Sequence, residues 1–250
     1  MSIQQTSKKK QSLLLCLQSK KLVQWDEKVN SERNKEPFFR GSLLLPPIRL
    51  NQRGIMPTRT IKVEIKETHI LPLTPQRWPD LETLFGPSGA CMGCWCMWWR
   101  VRNKDFNQLG REGLKNGLRT LVHQGLEPGL IAYADGIPAG WVTIAPRAEY
   151  VRLATSRALA SVDDQPVWSM PCFFVHKSYR DKGLMRILIQ GAVDYAGAHG
   201  ARIVEVYPFE SEGQTSTMNI YTGVVSAFRD LGFVEVERRK SNRPIMRKFL

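Results

Sequence analysis

Three groups of side chains in this 250-residue sequence have the types and spacing to do chemistry. The first is Tyr179-Arg180-Asp181-Lys182-Gly183-Leu184-Met185-Arg186, which follows the apolar run Phe173-Phe174-Val175. Beyond it, Leu184, Ile187, Leu188, Ala192, Tyr195 and Ala196 recur at spacings of three and four, the pattern of a half-buried helix. A strand that enters a tight turn at a glycine and then a helix presents free backbone N–H groups and the positive helix end to an anion. Arg180 and Lys182 add charge there, while Arg186 is free to point elsewhere. The same junction with a single glycine also occurs in α/β proteins that bind no phosphate, so the motif alone does not decide.

The second group is Glu205 in Arg202-Ile203-Val204-Glu205-Val206-Tyr207. A carboxylate among apolar strand residues needs a partner or a cavity, and burial would raise its pKa toward the range of a general base. Glu205, or a water it orients, is therefore the first choice for the base, on equal terms with a salt-bridged or edge-exposed structural glutamate. Tyr207 points the same way by two-residue alternation. His176, next to the phosphate-binding turn, is the alternative base, with a surface structural role favoured for it.

The third is Cys91-Met92-Gly93-Cys94-Trp95-Cys96-Met97-Trp98-Trp99-Arg100. A zinc reading would add Cys172 as the fourth thiolate, but such sites come as two separated ligand pairs and no histidine is near in sequence. A Cys91–Cys94 redox pair lacks a thioredoxin-like setting. Buried cysteine, methionine and tryptophan forming an apolar wall is the favoured reading, with no metal.

The elements that must position these groups follow from periodicity. Ile61, Val63 and Ile65 alternate with polar residues and predict a strand to about Leu73. Thr74-Pro75 opens a helix through Leu84, stopped by Gly86-Pro87-Ser88-Gly89. A helix over 111–124 ends at Gly125, and Asp135-Gly136-Ile137-Pro138 joins two strands as a hairpin. A helix near 147–160, a strand over 166–175, a helix over 183–199 and a strand over 203–207 come next. A helix over 218–231 and strands over 233–238 and 245–249 complete an α/β domain. The tail Arg238-Arg239-Lys240-Ser241-Asn242-Arg243-Pro244 reads as a solvated hairpin between the last two strands.

Charge divides the chain. There are 36 Lys and Arg against 23 Asp and Glu, a net +13. Residues 1–55 hold 11 basic and 4 acidic side chains without sustained periodicity, and read as a disordered or dispensable basic extension. The folded domain is expected over residues 56–250, with Met56 as a native start. The five cysteines are too few and too uneven for a secreted disulfide scaffold, which makes the cytoplasm the expected location. Only five apolar residues follow Lys8-Lys9-Lys10, too short a run for an export signal. No window has the apolar length of a membrane-spanning helix.

Taken together, Trp168–Arg239 resembles the GNAT acetyltransferase superfamily: a strand ending at Val175, Arg180 and Gly183 in the turn, and Leu231-Gly232-Phe233 before a final strand pair. The element order extends the resemblance to about residues 61–250. It implies the GNAT (acyl-CoA N-acyltransferase) fold, an α/β single domain with a mixed central sheet flanked by helices. It further implies acetyl-CoA as co-substrate. The pantetheine arm would lie along Phe173, Phe174 and Val175, and the pyrophosphate over Arg180, Asp181, Lys182, Gly183, Leu184 and Met185. Met185 stands where the family has a small residue, although the expected contact is to backbone N–H groups. Backbone N–H groups of 173–175 would hold the oxyanion, in a strand that Pro171 interrupts. The family's usual acidic tyrosine is Phe228 here; Tyr221, two helical turns earlier, is the substitute, with water or loss of coenzyme A as thiolate as alternatives. The Cys-Trp segment looks like one found in a bacterial branch of the acetyltransferases. That likeness makes Trp95, Trp98 and Trp99 an acceptor pocket, with Arg100 set against an acceptor carboxylate or stacked on a tryptophan.

The implied activity is acetyl transfer to an amine of a small molecule or a protein, by direct attack in a ternary complex, in a monomer or homodimer. Three rivals remain: an acetyl-CoA-binding protein of the same fold without turnover, a basic nucleic-acid-binding protein, which is disfavoured, and a cysteine–metal module.

Overall fold

Asp135 and Gly136 both hold positive φ (50° and 79°), the mirror-image turn whose twist matches that of the strands it joins. The computed structural model describes residues 65–210 and 221–250, all within a unit from Ile61 to Leu250. The expected extension over 1–55, the start at Met56 and the strand residues Ile61 and Val63 lie outside the described residues. The turn connects β2 (Gly129–Ala134) to β3 (Ile137–Pro146). The Asp135 carboxylate also accepts from the Lys66 and Glu67 N–H groups at 3.1 and 2.9 Å, which anchors the approach to β1 (Thr68–Pro72).

Strands β4 (Trp168–Val175), β5 (Ile203–Val206), β6 (Val234–Glu237) and β7 (Ile245–Phe249) complete a seven-stranded sheet ordered β1-β2-β3-β4-β5-β7-β6. Among the seven strands described, β4 and β5 alone pair in parallel, and the helix α4 (Leu184–Ala198) makes the crossover that a parallel pair requires. The first helix is α1 (Trp78–Phe85), entered through a 3-10 turn at Pro75–Arg77. Next comes α2 (Asn103–His123), which begins earlier than the periodicity suggests and kinks at Gly110 (φ 59°). The short helices α3 (Val151–Thr155) and α5 (Val225–Arg229) replace the two longer ones expected near 147–160 and 218–231; residues 218–220 are outside the described set. Continuation after Thr155 is blocked because the Arg147 guanidinium donates to the carbonyls of Leu153 (3.3 Å) and Leu159 (2.6 Å), folding the chain around it.

The sheet is covered on both faces. On one, Met170, Phe173, Val142 and Ile144 pack against Leu184, Leu188, Ile189 and Ala192 of α4 and Phe228 of α5. On the other, Ile131, Trp141, Cys172 and Tyr207 meet α1, α2 and the Cys-Trp segment through Leu81, Phe85, Leu118 and Trp95. Alternation along β4 therefore sends Phe173 and Cys172 to opposite faces, so a ligand on this strand touches both layers. Among the described residues no helix is long and apolar enough to cross a membrane.

Candidate active site

The sheet parts at its centre. β4 and β5 are in register only at Trp168↔Val204 and Ser169↔Glu205. Beyond Ser169, β4 continues to Val175 paired with β3, as far as Val175↔Gly140, but has no strand on its β5 side. Pro171 sits where the strands part, and its missing N–H removes a donor from the ladder there. The register with β3 also shifts between Thr143 and Ala145, opposite this bend. The result is a slot along 170–175 whose outward backbone N–H and C=O groups have no strand partner among the described residues.

The slot leads to the N-terminus of α4. Gly183 has φ 74°, and a Cβ built there would meet nothing within 4 Å, so the space over the helix end is open. Gly183, Leu184 and Met185 N–H groups have no backbone acceptor among the described residues, while Arg186 and Ile187 already bond to the Gly183 carbonyl. Asp181 shares the positive φ (59°), which turns successive amides toward one point. Arg180 and Lys182 rest on their own loop, donating to Val175 O (3.2 Å) and Ser178 O (2.8 Å). Arg186 pairs with Asp230 at 2.8 Å, away from the helix end. Met185 does not crowd it either: its Cε lies against Gly223, 2.5 Å from where a Cβ would be, so the side chain runs sideways. The His176 ring caps the turn, Nδ1 accepting from Ser178 N–H at 3.4 Å.

Glu205 requires a correction. It is fully buried; Oε1 accepts from Arg147 Nη1 (2.9 Å) and from the Tyr207 hydroxyl (2.6 Å), and Oε2 from Arg247 Nε (2.8 Å). Arg247 in turn holds Asp163 at 2.7 Å, and Ser169 Oγ lies 2.8 Å from the Tyr207 hydroxyl. A general base needs a free lone pair facing the proton it removes. Glu205 has neither an open face nor an unclaimed oxygen, so its place is a buried ion-pair network that pins β5 to β7 and to the turn before α3. Arg147 and Arg247 carry no local pattern that would have revealed them; Arg247 reaches Glu205 through the β5–β7 register and Arg147 from the turn before α3.

The Cys-Trp segment divides. Trp95 is core, stacked on Trp78 at 5.9 Å and tilted against Phe85 at 5.4 Å, so it is not part of an acceptor pocket. Arg100 is also removed from that role: it pairs with Glu149, reaches Pro128 O at 3.4 Å and lies over the Tyr150 ring at 4.8 Å. Trp98 remains partly exposed beneath the Arg152 guanidinium (3.5 Å to the ring centre), and Trp99 is buried with Arg243 over its ring at 5.8 Å. Arg243 thus turns inward from the hairpin expected to be solvated.

Cys96 and Cys172 are buried with their sulfurs 3.5 Å apart, and the Trp141 indole N–H points at Cys96 Sγ from 2.9 Å. Burial pushes Cys94 up to about 12; the Cys96 thiol beside it and burial also hold Cys172 well above the ordinary thiol range. Among the described residues no three imidazole, thiol or carboxylate groups converge as a ligand set. Iodoacetamide at pH 8 is therefore expected to alkylate exposed Cys91 and to spare Cys94, Cys96 and Cys172 in the folded protein, as peptide mass mapping would show. Rapid labelling of Cys172 would contradict this assignment.

Tyr221 is half-buried against the Cys172 side of the sheet. Burial raises its pKa, partly offset by the Arg243 charge beside it, so the hydroxyl stays protonated through neutral pH. Phe228, at the position of the usual tyrosine, is fully buried on the opposite face against Phe173 and Phe233, and α5 begins only at Val225, so the shared helix face expected for Tyr221 and Phe228 does not form.

A sheet parted beside a parallel crossover, with its slot ending on an open helix N-terminus, defines a class of coenzyme-binding acyltransferase folds. The Acetyltransferase (GNAT) family model matches residues 95–221, and the chain belongs to that family. Among solved structures, the chain is similar to the PaiA N-acetyltransferase of Thermoplasma acidophilum in complex with coenzyme A (14% identity, 74% of this chain and 99% of that one, TM-score 0.42). It is also similar to a GNAT-family acetyltransferase of Listeria monocytogenes (12%, 75% and 99%, TM-score 0.48). A third is yncA of Salmonella typhimurium, solved with its cofactor acetyl-CoA (15%, 73% and 94%, TM-score 0.41). No curated protein matches in sequence.

Proposed function

We propose that this acetyltransferase moves an acetyl group from acetyl-CoA to an amine by direct attack in a ternary complex. The observation that carries this reading is the unpaired edge of β4 from Met170 to Val175, ending at the open α4 N-terminus. Phe173, Phe174 and Val175 offer outward backbone groups to a pantetheine amide, and the amides of Gly183, Leu184 and Met185 face a pyrophosphate. Arg180, Asp181 and Lys182 shape the turn that aims those amides. When bound, acetyl-CoA supplies the thioester whose carbonyl carbon bonds to the acceptor nitrogen as its carbon–sulfur bond breaks.

The chain's own contribution is placement and protons. β4 amides hold the carbonyl oxygen as it gains charge. Tyr221, kept protonated by burial, gives the departing sulfur its proton. With Glu205 enclosed, the proton leaving the acceptor nitrogen goes to water at the mouth of the slot. The rate is then expected to rise with pH through the acceptor's own ammonium pKa, not through that of a protein carboxylate. Trp98 and Trp99 form the aromatic wall on the acceptor side.

The test is acetylation of an amine panel, followed by thiol release, with acetyl-CoA binding measured calorimetrically. Gly183→Val is expected to weaken acetyl-CoA binding at least tenfold, because its side chain enters the open space over the helix end and its φ 74° is hostile to a branched residue. Unchanged affinity in that variant would remove the turn from the binding site. Binding without acetylation of any amine would leave a coenzyme-binding protein of this fold in place of an enzyme.

A further inference from the structure

Six arginines of this domain, Arg247 buried and the others half-buried, fall into two groups. Arg100, Arg147, Arg238 and Arg247 each face at least one carboxylate: Glu149, Glu205, Glu210 with Glu235, and Glu205 with Asp163. Arg152 and Arg243 face none among the described residues. Nε and Nη2 of both are buried without any hydrogen-bond partner, as is the Trp99 indole Nε1; the other unpartnered buried side-chain atoms among the described residues are single ones, on Trp78, Trp95, Arg100 and Asn242. The two guanidiniums belong to one wall. Arg152 donates its backbone N–H to Trp99 O at 3.2 Å and stacks on Trp98, while Arg243 lies over Trp99. Tyr221, the proposed acid, lies within electrostatic reach of both.

Arg152 also donates to Asn103 Oδ1 and Arg243 bonds the Tyr221 hydroxyl, but five buried donor nitrogens and two charges without a carboxylate among the described residues are costly unless something occupies them. The donors are planar forks, suited to a carboxylate, and they lie beside the group assigned to proton transfer and not along the α4 end assigned to pyrophosphate. We infer that Arg152, Arg243 and the Trp99 N–H bind a carboxylate carried by the acceptor, making the substrate a small amino acid-like amine. This deepens the acetyltransferase reading and rests on it for the acceptor's role, but carboxylate binding can be read without turnover. Indole faces next to the guanidiniums favour an acceptor with an apolar body.

The experiment titrates the full chain, by calorimetry, with N-acetylated amino acids spanning the standard side chains and with the matching N-acetyl carboxamides. At least one acid is expected to bind about 10- to 100-fold more tightly than its carboxamide, the worth of a charge-assisted pair. Arg243→Met and Arg152→Met should each erase that preference while leaving acetyl-CoA affinity unchanged. Arg243→Lys should restore only part of it, since an ammonium lacks the fork. Arg243→Met should also raise or preserve the melting temperature, because it removes an unpaired buried charge; a structural arginine would behave in the opposite way. Equal binding of acids and carboxamides, absence of binding by every acid, binding of inorganic phosphate alone, or a fall in melting temperature with the preference intact would each overturn the assignment. Failure of acetyl-CoA to bind would instead defeat the acetyltransferase reading, and the carboxylate titration would still stand as its own result.

Discussion

Glu205→Gln is expected to lower the melting temperature by about 10 °C while leaving turnover per folded molecule near that of the wild type. Both oxygens of Glu205 are engaged, and the charges they neutralise are themselves enclosed: the Arg247 side chain is 3% exposed and that of Arg147 12%. Removing one member of a buried pair leaves the other charge uncompensated and costs ~3–5 kcal/mol. For a domain of this size, 1 kcal/mol moves the midpoint by about 2–4 °C. Glutamine keeps the shape and one acceptor, so packing is preserved and the loss is electrostatic. Asp163 on Arg247 softens the effect without removing it, because that carboxylate sits at the exposed end of the network. Thermal denaturation and amine acetylation by the same preparations separate the alternatives. If Glu205 were the base, kcat would instead fall by about 100-fold or more with little change in stability.

Tyr221→Phe is expected to lower kcat by about 100-fold at neutral pH, the usual contribution of a placed general acid. Its effect on pH dependence has a definite sign. A group that gives up a proton works only while protonated, so activity is lost as pH rises through its pKa. An unperturbed tyrosine loses its proton near pH 10. Burial raises the value for Tyr221 despite the neighbouring Arg243, which places the alkaline limb of wild-type kcat above that point. The phenylalanine variant should have no such limb, and its acetyl-CoA affinity should be unchanged because Tyr221 packs on the Cys172 side of the sheet beside Arg243, whereas α4 covers the other face. Rates measured from pH 7 to 11 in both proteins test this. Equal kcat at neutral pH would transfer the proton delivery to water or leave coenzyme A to depart as the thiolate.

Much of the scaffold was legible from local pattern alone. Asp135-Gly136 marked its turn because few residues tolerate two successive positive φ values. The apolar spacing after Gly183 marked α4, and the break at Gly183 marked its start, because a helix exposes its first amides wherever a glycine lets the chain approach. Alternation pointed Glu205 of β5 and Tyr207 just after it the same way, and the structure joins them by a 2.6 Å hydrogen bond. β7 was anticipated over the residues it occupies, 245–249.

What the sequence by itself determined was therefore the set of faces, turns and helix ends, each a property of neighbouring residues. Only the tertiary structure decided what the charged and aromatic side chains on those faces meet. Glu205 reads equally well as a base or an ion pair until β7 brings in Arg247, 42 residues away, and the turn before α3 brings in Arg147, 58 residues away. Arg100 and Arg243 exchange roles for the same reason. The one, expected against an acceptor carboxylate or stacked on a tryptophan, is spent on Glu149; the other, expected in a solvated hairpin, is folded over Trp99. A local pattern sets which side of an element a residue occupies, whereas a charge's partner depends on strand register and loop path, which are fixed only when the whole sheet is assembled.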